Sequence, residues 1–100
     1  MRIEINMSLA EGLTLHTAAL NLGLPLYVGY HEATHICWVE IADGAVASWS
    51  SSRSAVWSEL VELSMPLRRV RRIVVELWEK MKNVEKKESS TISRFIKGEV

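Results

Sequence analysis

Among its 100 residues the chain has one cysteine, two prolines, no glutamine and no long uncharged apolar run. The single cysteine, Cys37, excludes an intramolecular disulfide framework and a zinc site built from several cysteines. It reads as a small buried hydrophobe rather than a nucleophile. Without an apolar stretch of roughly 20 residues, neither a membrane-spanning helix nor a membrane partner is expected. Arg2 and Glu4 occupy positions where a signal peptide needs its apolar region, so the chain reads as cytoplasmic. No Gly-rich phosphate loop occurs, no Ser-His-Asp arrangement stands out among three histidines, and no cofactor is implied. The missing glutamine and the excess of Glu over Asp give a thermophile-like, archaeal-like composition, which four methionines offset.

What is present is a globular composition, 48% hydrophobic and 24% charged, of a length suited to one domain. Formal charge is zero overall but divided. Residues 1–50 hold one basic and five acidic residues, a charge of −4; residues 51–100 hold eleven basic and seven acidic, a charge of +4. Such asymmetry points to self-association or to an anionic partner for the second half.

Arg2–Met7 alternates polar residues with Ile3, Ile5 and Met7, the pattern of a half-buried strand. Ser8-Leu-Ala-Glu11 is a capping box opening a helix that Gly23 and Pro25 stop. Its leucines cover more than one face, so it should be covered by a sheet and by a second subunit. His16, spaced between Leu13 and Leu20, reads as a hydrogen-bonded structural histidine. Asp43-Gly44 between alternating apolar residues is a hairpin cue. That hairpin would place Trp38 opposite Trp49 on a flat aromatic platform. From Ser54, apolar residues recur at steps of 4 and 3 from Val56 to Val84 in a heptad register, widened by Trp57, Ile73 and Trp78. Pro66 either kinks this helix or starts a second, with Ser64 as its cap.

Together these signals predict an α+β domain over residues 1–87, an antiparallel sheet of three to four strands with two helices on one face, β-α-β-β-α. Residues 88–100 form a C-terminal tail. Ile92–Ile96 reads as a loose end, or else as a last strand that would make the fold ferredoxin-like.

His31-Glu32-Ala-Thr-His35 carries the His-Glu-x-x-His pattern of zinc hydrolases, where both histidines share a helix face and the Glu takes a proton from metal-bound water. The flanking Leu26–Tyr30 and Ile36–Ile41 are strand-like, and no third histidine follows at ligand spacing. The pattern therefore reads as accidental. No catalytic residue and no metal ligand is assigned, a metal-dependent hydrolase using His31, Glu32 and His35 being the alternative. A tight turn at Glu32–Thr34 would bring His31 and His35 together across a hairpin.

The densest charge is Arg68, Arg69, Arg71 and Arg72. Four arginines at a helix start oppose the macrodipole, so either the helix begins earlier or the arginines have an anionic partner. Contact with RNA phosphates is one reading, a solvated helix face the other. Trp38, Trp49, Trp57 and Trp78 are candidates for a subunit interface.

The order strand, capped helix, hairpin, long helix over Arg2–Ala19 and about Ile36–Val75, with Ser54-Ala55-Val56 entering the last helix, resembles the Pcc/CTAG family. These are the small dimerising subunits of the KEOPS complex. Trp57 stands where that family has Arg, Val61 where it has Asn, and Leu24–His35 is extra chain. The resemblance implies a protein that is not an enzyme. It would form homodimers and bind the catalytic subunit of a tRNA-modification machinery. The expectation is a non-catalytic, oligomerising accessory subunit, associated with an RNA-processing or tRNA-modification assembly.

Overall fold

The computed structural model describes the backbone of residues 1–98 and the side chains of residues 1–84. Strand β1 (Arg2–Ile5) buries Ile3 and Ile5 and turns Arg2 and Glu4 outward, as alternation requires. Helix α1 (Leu9–Leu22) begins at the capping box. The Glu11 N–H donates to Ser8 Oγ at 3.2 Å, and the Ser8 N–H donates to the Glu11 carboxylate at 2.9 Å. The helix ends at Gly23. Strands β2 (Leu26–His31) and β3 (Ile36–Ile41) follow, joined by Glu32–His35.

The sheet order is β1-β3-β2, with both pairings antiparallel. Ile3 and Val28 both register with Val39, so Ile3, Ile5, Leu26, Cys37, Val39 and Ile41 share the face that meets the helices. Burying each such side chain fully contributes about 1.5–3 kcal/mol.

Two expectations are corrected after β3. Asp43-Gly44 is not a hairpin turn: Gly44, at φ 79°, leads directly into helix α2 (Ala45–Glu62). Ala45, Trp49, Val56 and Leu60 fall on one helical face and are buried. Alternation over six residues fits a strand, but steps of four and seven also fit a helix, and the core selects the helix. The Trp38/Trp49 platform therefore does not form.

Pro66 separates two helices rather than kinking one. Ser64, at φ 70°, ends α2: its N–H bonds to Val61 O and the Met65 N–H to Leu60 O, the Schellman pattern with serine in the left-handed position. Ser64 thus closes α2 instead of capping α3 (Leu67–Gly98). The backbone is helical through Ile92–Ile96, so these residues add no fourth strand and the fold is not ferredoxin-like.

Helix α1 packs on β2 and β3, α3 on β1, and α2 on both α1 and α3. The architecture is α+β, a three-stranded antiparallel sheet with three helices against it. The heptad positions Val56, Leu60, Val70, Val74, Leu77 and Met81 are consumed inside this single core.

Candidate functional site

His31 ends β2 and His35 closes the four-residue loop, with its N–H on His31 O at 2.8 Å. The tight turn forms, yet the histidine side chains do not converge. On a strand, neighbouring side chains alternate faces. Tyr30 turns to the helix side and hydrogen-bonds its hydroxyl to His35 Nδ1 at 2.8 Å. His31 turns to the other face, 3.6 Å from Glu4 Oε1 and beside Trp38. His35 sits at φ 57°, a left-handed conformation that histidine adopts more readily than most residues. Glu32 is exposed in the loop. The shared helix face of a zinc hydrolase is not built here, and among the described residues no three ligating side chains gather. Cys37 is fully buried beneath α1, and burial, ahead of the nearby Glu11 charge, pushes its thiol up from the ordinary value. It behaves as a core residue.

The structure divides the four arginines. Helix α3 does start at Leu67, so Arg68 and Arg69 oppose its dipole. Arg69 has an anion inside the protein: its guanidinium binds the Glu11 carboxylate and donates to Asn6 O at 2.7 Å. That guanidinium, more than the Ser8 contacts, holds the Glu11 carboxyl below its ordinary value against the opposing effect of burial. Arg69 is thereby a tie between α3 and the start of α1, its charge matched within the protein. Arg71 lies over the Trp57 ring, 4.8 Å from its centroid. Arg68 and Arg72 are exposed.

The four tryptophans also separate. Trp49 is 1% exposed in the core and cannot serve an interface. Trp38 lies on the outer sheet face, across Gly29, where an added Cβ would fall 2.0 Å from the indole. Only a residue without Cβ lets the ring lie flat there. Arg2 covers its other side at 4.0 Å from the centroid. Trp57 and Trp78 are half-buried between α2 and α3.

An exposed apolar surface, formed by α1 leucines that the sequence reads as covering more than one face, lies near the β2 edge. Leu9, Leu13 and Leu20 of α1 are 46%, 57% and 61% exposed, while Tyr27 of β2, 60% exposed, lies on the sheet face away from α1. The leucines recur at steps of four and seven, one row along the helix. His16 falls within that row, and its Nδ1 makes no hydrogen bond among the described residues, so the expected hydrogen-bonded histidine is not found. The row borders a cleft of about 200 Å³ between α1 and β2, with Val28, Gly29 and Tyr30 on the strand side. Helix α1 carries one charge, Glu11, and it points to Arg69. Among the described residues β2 pairs only with β3, leaving its outer backbone edge open. No helix is long and apolar enough to cross a membrane among the described residues. Comparison with protein-family models, curated proteins and solved structures found no match.

Proposed function

We propose that the protein is a non-catalytic, oligomerising accessory subunit that pairs with a second copy through the α1–β2 flank. The observation that carries this reading is the exposed leucine row beside an open strand edge. About a two-fold axis a patch of one net sign meets the same net sign on its copy, and this row carries no charged residue to repel its counterpart. An antiparallel strand edge is self-complementary about a two-fold axis, and α1 would pack on its counterpart beside the joined strands. This differs from an assembly through the heptad stripe or Trp49, which the monomer uses for itself. The resemblance to the KEOPS dimerising subunit supports the same role, and an RNA-processing or tRNA-modification assembly is the setting we propose.

In light scattering at micromolar concentration the protein should show twice its chain mass of 11.3 kDa. Leu13→Glu should give the single-chain mass with an unchanged circular dichroism spectrum, because Leu13 contributes little to the monomer core. A wild-type protein that is already monomeric at that concentration removes the proposal.

A further inference from the structure

Helices α2 and α3 meet along a groove of about 260 Å³ lined chiefly by Arg53 and Trp57 of α2 and by Arg71, Val75 and Trp78 of α3. The cations and rings are crossed between the helices. Arg71 lies over Trp57, and Arg53 lies 5.3 Å from the centroid of Trp78. Lys82 approaches Trp78 from further along α3, at 5.8 Å. Among the described residues neither Arg53 nor Arg71 forms an ion pair with a carboxylate. Two guanidiniums sharing an acid-free groove repel each other, and an incoming anion would relieve that repulsion.

The cationic surface continues beyond the groove. Steps of three and four place Arg68, Arg71, Arg72, Val75, Trp78 and Lys82 on one side of α3, with Glu79 as the acid on the same arc. At 1.5 Å per residue, Arg68 to Lys82 covers about 21 Å of helix. That length suits a strand of several units better than a single small anion. An acidic peptide would satisfy the arginines, but it brings a flat ring only where its sequence has an aromatic residue, whereas every nucleotide carries a base.

We propose that this groove binds single-stranded nucleic acid, with bases on Trp57 and Trp78 and phosphates on Arg53 and Arg71. In the free protein each guanidinium rests on the ring that a base would occupy. An exposed cation–π contact is weaker than a forked, charge-assisted bond to phosphate, so an arriving phosphate draws the guanidinium away and uncovers the indole. Paired bases of a duplex cannot reach the rings, so the site favours unpaired strands. The groove belongs to α2 and α3, not to the α1–β2 flank, and its test is independent of the chain's oligomeric state.

The test is fluorescence anisotropy with a short labelled oligouridylate, beginning at low ionic strength. Wild type should bind, with affinity falling as salt rises and with tryptophan fluorescence quenched. The double variant Arg53→Ala/Arg71→Ala should bind more weakly, its log–log salt slope shallower by about 1.4, at roughly 0.7 per phosphate on a single strand. Trp57→Leu and Trp78→Leu should each weaken binding roughly ten- to a hundredfold while leaving the slope unchanged. Both arginines are exposed, so the arginine variant stays folded and readable even if a tryptophan variant does not. Absence of oligouridylate binding at low salt overturns the proposal. So does equal affinity for polyglutamate or heparin, or an unaltered salt slope in the arginine variant.

Discussion

Replacing Trp49 with alanine should remove about 3–5 kcal/mol of folding stability. Its side chain is 1% exposed on α2, the helix that packs on both α1 and α3. Truncating it removes the largest fully buried side chain and leaves a cavity that three helices cannot all close upon. A domain of this size is stable by about 5–15 kcal/mol, so the loss is a third or more of the total for much of that range. Trp49 Nε1 makes no hydrogen bond among the described residues, so burying it carries a cost of about 1–3 kcal/mol. Trp49→Phe removes that cost together with part of the packing and should therefore lose less than about 1.5 kcal/mol. Urea unfolding of the two variants measures both. If Trp49→Ala left the midpoint unchanged and lowered the assembled mass, Trp49 would be an interface residue, as its sequence context suggested.

The second large effect is expected at Arg69. Arg69→Met should cost about 2–3 kcal/mol, because it leaves the Glu11 carboxylate with the Ser8 N–H but no countercharge, and the Asn6 carbonyl without the Arg69 donor. Both side chains keep some solvent access, 27% and 21%, so the cost falls below that of a fully buried pair. The same contact has a pH signature. Glu11 titrates below its ordinary value near 4.5 in the folded chain, so the unfolded chain binds more protons between the two values and stability rises with pH there. The contribution is fully present above about pH 5 and is lost as pH falls through the depressed folded value. Arg69 is pushed upward and stays charged throughout that range. Urea midpoints from about pH 7 to pH 3 should show a steeper acid decline in wild type than in Arg69→Met. Parallel declines would show that the pair contributes nothing in solution.

Local chemistry was legible in the sequence, and long-range pairing was not. The Ser8/Glu11 box names its own hydrogen bonds within four residues, and both form. Alternation in Arg2–Ile5 and the β-branched and aromatic residues of Leu26–Tyr30 and Ile36–Ile41 marked the three strands of the sheet. Ala45–Ser50 misled because its alternation and the preceding Asp-Gly are local signals of a hairpin, whereas its helix is selected by burial of Ala45 and Trp49 against distant elements. Arg69 could not be told from its neighbours, since its partner lies 58 residues earlier in the chain. The crossed Arg–Trp pairs needed the α2–α3 hairpin before Arg53 could meet Trp78. The leucines of α1 were readable as an excess over one face, but which of them the sheet would leave uncovered depended on how the helix sits on β2.

The two borders of the sheet are unequal, and this governs what an assembly built from it can become. β1 is 4 residues long and carries Arg2 and Glu4, a short charged margin of the kind that resists further strand addition. β2 is 6 residues long, with the uncharged run Leu26–Tyr30. A sheet that joins another copy at β2 turns both β1 margins outward and has no second receptive border. Growth then halts at six strands, whereas a chain with two receptive borders would propagate into a fibre.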